Sequence, residues 1–343
     1  MAYTRAKLIW EQAGKLCFEP GLDQGITLTL PDKIGIYDWN RARPVELRNG
    51  ELCALMNVRT SAYSWCADDR LYVESGDQTD LYVLCSQGRT FEHVVLPGRA
   101  MCALDSDTIA LNMESCVLSR VGKDGEVFWS RRLSCAECMR VRMENGVLYC
   151  LDRTENGVRI DALNADTGVN LHQWGHEECW SAAWRFVVGG IYVLVDAEQP
   201  RWVRLDWNLN ELRSGASPVY GAAEFEVNAE ETAIFAVDCA QRLWRLGLDG
   251  KNRACKVGKS DFLRSMDARG NLIVVSQNGM LTVFSQALEK LSGHRLGGGI
   301  AALECRENCI FVLTGSSQAG MEAWGMPDDC RARIYRIEYL SDD

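Results

Sequence analysis

One short apolar strand, preceded by a polar turn, recurs along the whole chain. Its copies read ITLTLP from Ile26, LYVESG from Leu71, TIALNM from Thr108 and VLYCLD from Val147, then IYVLVD from Ile191, AIFAVD from Ala233, LIVVSQ from Leu272 and IFVLTG from Ile310. Successive starts lie 45, 37, 39, 44, 42, 39 and 38 residues apart. Periods near forty belong both to four-stranded propeller blades and to helical HEAT-type arrays. The copies are rich in Ile, Val, Leu, Tyr and Phe, are too short for helices and are bounded by turn residues, which decides for strands.

Each copy has companions. CMRVRM precedes VLYCLD, AAWRFV precedes IYVLVD and AAEFEV precedes AIFAVD. A third strand follows a tight turn, as in GMLTVF after Asn278-Gly279 and GVRIDAL after Asn156-Gly157. Asn-Gly between apolar runs favours a type I′ hairpin, whose two central residues need positive φ. Fourth strands follow Asp124-Gly125 and Asp249-Gly250. Four antiparallel strands per period make a propeller blade, lettered A to D from the central channel outward.

The pattern predicts one all-β, eight-bladed propeller over residues 1–343, with seven blades as the alternative count. The blades fall at 13–50, 51–97, 98–134, 135–175, 176–215, 216–258, 259–296 and 297–343, the last completed by residues 1–12. The eighth copy ends on a third strand, RARIYRIEYL, whereas KLIWEQ at 7–12 is a spare strand ahead of blade one. Pairing the two closes the ring and removes an exposed edge.

Blades three and four carry KDGEVFWSRRL and LNADTGVNLHQW. These resemble the D-x-x-T/D-G-x-x-x-W ending of the PQQ-like repeat, found in eight-bladed quinoprotein dehydrogenases and BamB-type assembly lipoproteins. Asp124, Gly125 and Trp129 match it in one blade, and Asp166, Thr167, Gly168 and Trp174 in the next. The resemblance spans the period of the whole chain, with the motif clear in these two blades, and it implies a scaffold. Quinoprotein dehydrogenases often hold a vicinal cysteine pair against the quinone, and no two cysteines here are adjacent. PQQ chemistry is therefore not implied, and the Gly-His and Trp-Asp signatures of WD40 repeats do not recur.

Composition narrows the function classes. A formal net charge of -10 without a Lys/Arg run argues against a nucleic-acid partner. The N-terminal MAYTRAKLIWEQAGKL lacks a signal-peptide pattern, and the longest apolar run, FVVGGIYVLV, is too short to span a bilayer as a helix. A cytoplasmic protein without membrane insertion is expected. The 15 cysteines, many within strand patterns, are expected as free thiols. No G-x-S-x-G, H-E-x-x-H, Walker A or EF-hand pattern occurs, and with four histidines acid–base chemistry would rest on carboxylates.

Three groups of residues carry candidate chemistry. Cys135, Cys138, His176 and Cys179, in SCAEC and GHEEC, lie between strand D of one blade and strand A of the next on adjacent blades. Thiolates and imidazole in that arrangement suit tetrahedral zinc; the other reading is incidental cysteines. Asp152, Asp196 and Asp238 end strand B in three successive blades, either ringing the channel mouth or simply starting the B–C turn through backbone amides. Trp180 follows Cys179 on the same face. In the eighth blade about sixteen residues, with Met321, Trp324 and Met326, stand where neighbouring blades have a short turn; they anchor a partner or plug the channel. Together these residues predict a cytosolic, non-enzymatic propeller that binds a protein or peptide through its D–A/B–C loop face. The alternative is a carbohydrate-active hydrolase or lyase using carboxylates at the channel mouth.

Overall fold

The computed structural model describes residues 3–13, 16–17, 35–38, 43–48, 51–54, 63–67, 70–75, 78–84, 91–104, 106–133, 140–221, 224–259, 261–276, 279–307, 309–315 and 331–340. Within them every regular element is a strand, and the strands gather into eight four-stranded antiparallel sheets. No helix among the described residues is long and apolar enough to cross a membrane. In sheets 1 to 7, numbered along the chain, spatial order follows sequence order. The first strands of successive sheets pack against one another, as Arg140–Glu144 does with Arg99–Ala103 and Cys179–Val187 with Phe225–Val227, so strand A lines the inside of an all-β propeller.

Sheet 8 is built from both ends of the chain. Lys7–Ala13 pairs antiparallel with Arg331–Glu338, from Lys7 opposite Arg336 to Ala13 opposite Arg331. The spare N-terminal strand thus completes the last sheet, as the sequence pattern requires.

The core sits between sheets because strand B is apolar on both faces. Leu272–Ser276 and Ala233–Val237 are buried along their whole length. Alternate side chains of strand B serve opposite neighbours: Leu148 and Cys150 pack toward sheet 3, Tyr149 and Leu151 toward sheet 5. Bulky rings recur at the third position of strand B, as Tyr72, Tyr149, Tyr192 and Phe235, each at most 1% exposed. In these four sheets the ring fills the space between neighbouring sheets, whereas Ala110 and Val274 stand there in sheets 3 and 7.

The repeat motif acts at the sheet-to-sheet contact. Trp129 Nε1 donates to the Ala165 carbonyl at 2.9 Å, and its ring lies so close over Gly168 that a Cβ there would stand 2.7 Å from it. Trp174 occupies a different register. The residue after the strand-D bulge is Trp129 in sheet 3 but His172 in sheet 4, and Trp174 lies two residues further along, packing with Trp207 against the sheet 4–sheet 5 core. The C–D turn keeps one left-handed residue in five successive sheets, at Gly125, Gly168, Leu209, Gly250 and Leu288.

Three sequence assignments change. The strand hydrogen-bonded to Leu16–Cys17 is Gly35–Asp38, whereas ITLTLP at 26–31 lies outside the described residues. GIYD is equally apolar after a polar turn, so the repeat had two candidates there. The sheet limits at 50 and 175 also move: Arg48 pairs Glu51, which places Glu51–Ala54 in sheet 1, and the last strand of sheet 4 is Asn170–Glu177. Finally, Asn156-Gly157 is not the left-handed pair of its hairpin. Thr154 faces Gly157 across Glu155-Asn156, and among the described residues the Asn-Gly turn with both φ positive is Asn145-Gly146, between strands A and B.

Candidate functional site

The D–A corner between sheets 4 and 5 is a one-residue connection. Glu178, at φ 56, joins Asn170–Glu177 to Cys179–Val187, and its amide donates to the Asn156 carbonyl at 2.6 Å. The corner is thereby tied to the B–C turn of sheet 4. Gly157 permits the approach, since a Cβ there would stand 2.0 Å from the His176 carbonyl oxygen.

The next residues form a bulge. Pairing passes from Cys179–Ala197 to Ser181–Asp196, so Trp180 is the extra residue and its indole is 56% exposed. A β-bulge re-aims a side chain out of the ladder in this way. Two further aromatics stand near the start of strand A in the next two sheets. Tyr220 precedes strand A of sheet 6; its carbonyl accepts the Cys239 amide and its hydroxyl donates to the Glu198 carbonyl. Phe262 is the second residue of strand A in sheet 7, opposite Val275. Tyr220 is 40% and Phe262 39% exposed. Each of the three adjoins the end of strand B in its own sheet, so they form an arc on the D–A/B–C face. The sequence pattern singled out Trp180 alone; the signal for the others is an aromatic at each strand-A entry, in SPVYG and SDFL.

The three aspartates are engaged differently. Asp238 is buried and accepts the Arg242 amide at 2.9 Å, Arg242 Nε at 2.8 Å and Trp244 Nε1 at 2.8 Å. Burial alone would raise its carboxyl, but these donors outweigh it and hold it below the usual carboxylate range. Asp152 is buried within 3.8 Å of Arg159, which also stands 3.2 Å from buried Asp161. Burial pushes the Asp161 carboxyl up against the pull of Arg159 and Arg131. This buried group between sheets 3 and 4 was not legible in the sequence, because Asp161 lies in a strand that reads as apolar. Asp196 is half-buried opposite Ser181, and its Oδ1 is shielded without a hydrogen-bond partner among the described residues.

Of the thiol cluster, Cys135 and Cys138 lie outside the described residues, as do Met321, Trp324 and Met326. His176 Nδ1 lies 2.7 Å from the Glu177 carbonyl, and the Cys179 thiol donates to the His176 carbonyl. Cys179 packs in the apolar cluster between sheets 4 and 5, and burial pushes its thiol up, which favours the protonated form over a metal-binding thiolate. No group of three or more His, Cys, Asp or Glu suited to a metal ion occurs among the described residues.

No family model matches the chain, and no curated relative does. Similar solved structures are propellers. BamB from Moraxella catarrhalis matches with TM-score 0.63 at 11% identity, over 97% of this chain and 100% of its own. The Dos1 propeller matches with TM-score 0.58 at 10% identity, over 97% and 94%. BBS1N, solved in complex with ARL6DN, matches with TM-score 0.51 at 14% identity, over 97% of each chain. At such identities the likeness shows the fold alone: this chain is an all-β propeller.

Proposed function

We propose that the chain is a cytosolic, non-enzymatic propeller that engages a protein or peptide through its D–A/B–C face. The observation that carries this is the arc of Trp180, Tyr220 and Phe262, each partly exposed near the start of strand A in one of three successive sheets. Large aromatics with one wet face are favoured as partner anchors, and their repetition on one rim gives a surface a peptide can follow. The hydrolase or lyase alternative draws little from the aspartates, since Asp238 and Asp152 are bound within their own sheets. BBS1N, of similar fold, was solved with a second protein.

The test replaces Trp180, Tyr220 and Phe262 together by serine and compares recovery of partners from the native host with the parent protein. Phe128→Ser, Leu171→Ser and Leu212→Ser on the outermost strands serve as the control surface. Partner loss confined to the first variant, at an unchanged melting temperature, is expected. Equal recovery from both variants and the parent would sink the proposal.

A further inference from the structure

The turns around Trp180 are acidic. Glu177 and Glu178 precede it, Glu155 lies on the B–C turn whose Asn156 carbonyl holds the Glu178 amide, and Asp196 and Glu198 lie on the strand end across the bulge. Tyr220 joins this patch through its hydrogen bond to the Glu198 carbonyl. Among the described residues of these turns the cation without a carboxylate partner is Arg153; Arg159 faces Asp152 and Asp161, Arg201 pairs with Glu211 at 2.8 Å, and Arg242, next along the face, is held by Asp238 at 2.8 Å. An exposed indole inside an acidic rim attracts a cation twice, through the ring quadrupole and through the carboxylates.

We infer that the occupant of this face is a basic peptide, with an arginine or lysine side chain lying over Trp180 between Glu177, Glu178, Asp196 and Glu198. The inference rests on the reading that the face binds a peptide, and adds the chemical class. Acidic and phosphorylated segments, and nucleic acid, meet like charge here and are disfavoured. Apolar side chains of the same peptide fall toward Tyr220 and Phe262.

The experiment presents the full chain with a positional-scanning library of short synthetic peptides, each pool fixed at one residue. Pools fixed at Arg or Lys are expected to bind about tenfold more tightly than those fixed at Asp or Glu, and added salt should erode the difference. Reversing the rim with Glu177→Lys and Glu178→Lys should abolish the preference at an unchanged melting temperature, and Trp180→Ser should weaken the basic pools about tenfold. A preference for neutral or acidic pools, with binding still lost in Trp180→Ser, overturns the basic class and leaves the face standing. Basic pools that bind the triple serine variant as well as the parent overturn both. A library from which nothing binds counts against the basic peptide, while partner recovery in the companion experiment still judges the face.

Discussion

Tyr3 donates its hydroxyl hydrogen bond to Asp267 at 2.6 Å across 264 residues of chain, fastening the N-terminus to the A–B turn of sheet 7. Asn271 Nδ2 donates to the same hydroxyl at 2.7 Å, and the Tyr3 ring meets Tyr339 edge-on at 5.4 Å. The Thr4 amide and hydroxyl continue the tie, each 2.9 Å from a backbone group of Glu338. The N-terminal residues therefore join sheet 8 to its neighbour as well as completing it. Tyr3→Phe removes the donor to a part-buried carboxylate and should cost about 1–2 kcal/mol in a urea titration. An unchanged midpoint would show the contact contributes nothing.

Removing residues 1–12 takes away the strand on Arg331–Glu338 along with the Tyr3 and Thr4 contacts. The bared edge offers unpaired amides and carbonyls to another chain, so the truncated protein should aggregate or melt at a markedly lower temperature. Light scattering during a thermal ramp reads both. A truncated chain as soluble and heat-resistant as the full one would remove the closing role of this strand.

Arg204 does comparable work between sheets 5 and 6. It is buried, pairs with Glu231 at 2.9 Å, and donates to the carbonyls of Leu205 at 2.5 Å and Val188 at 3.0 Å while lying over the Tyr192 ring. Arg120 plays the same part in sheet 3, reaching Asp107 in its own sheet and Asp166 in the next. Lysine cannot reproduce a fork that feeds a carboxylate and two carbonyls at once. Arg204→Lys should destabilise by about 2–4 kcal/mol. Arg245→Lys, at the matching place in sheet 6, should stay within about 0.5 kcal/mol. Similar losses from the two would reject the fork as the reason.

The strands at Leu71, Thr108, Val147, Ile191, Ala233, Leu272 and Ile310 were legible because strand B is buried on both faces and must be continuously apolar. The closing pair was legible as a strand surplus at one end and a deficit at the other. Local geometry was less so. Nothing in a one-dimensional pattern separates ITLTLP from GIYD when both follow polar turns. Trp180 could be singled out because it follows Cys179, but the exposure of Tyr220 and Phe262 follows from where strand A enters each sheet. The carboxylates illustrate the same limit: Asp238 has three donors supplied by Arg242 and Trp244, whereas half-buried Asp196 has an oxygen with none among the described residues. Both are an aspartate after an apolar run in sequence.

Two glycines separate backbone strain from steric exclusion. A methyl added at Gly146, whose φ is 78, would have nothing within 4 Å, so Gly146→Ala should cost only the left-handed penalty, about 1 kcal/mol. At Gly157 the φ is ordinary, but a methyl would meet the His176 carbonyl oxygen at 2.0 Å. Gly157→Ala must push strand D away and should cost roughly 2–3 kcal/mol. It should also disturb the Glu178 corner and weaken binding at Trp180, which Gly146→Ala should leave alone. Equal losses of stability, with binding untouched in both, would contradict this division.

Glu226 gives the fold a pH dependence of definite sign. It lies on strand A of sheet 6, buried, with Oε2 2.6 Å from Arg185 of strand A in sheet 5. Burial pushes its carboxyl up to about 7 from 4.5, and Arg185 only partly opposes this. Between those two values the folded protein holds a proton that the unfolded chain releases, so stability falls as pH rises from about 4.5 to about 7 and levels off above. The loss attributable to this group is at most about 3 kcal/mol, from the size of the shift. Glu226→Gln keeps an acceptor for Arg185 without a charge to bury, so it should flatten that window and make the protein more stable than the parent above pH 7, by up to the same amount. Arg185→Met should carry the loss of stability on to higher pH, because the carboxylate then loses the cation 2.6 Å away and its pKa rises further. Urea midpoints measured across the window for the three proteins decide it. Parallel curves for parent and Glu226→Gln would show that Glu226 ionises in the folded protein as it does in the unfolded chain.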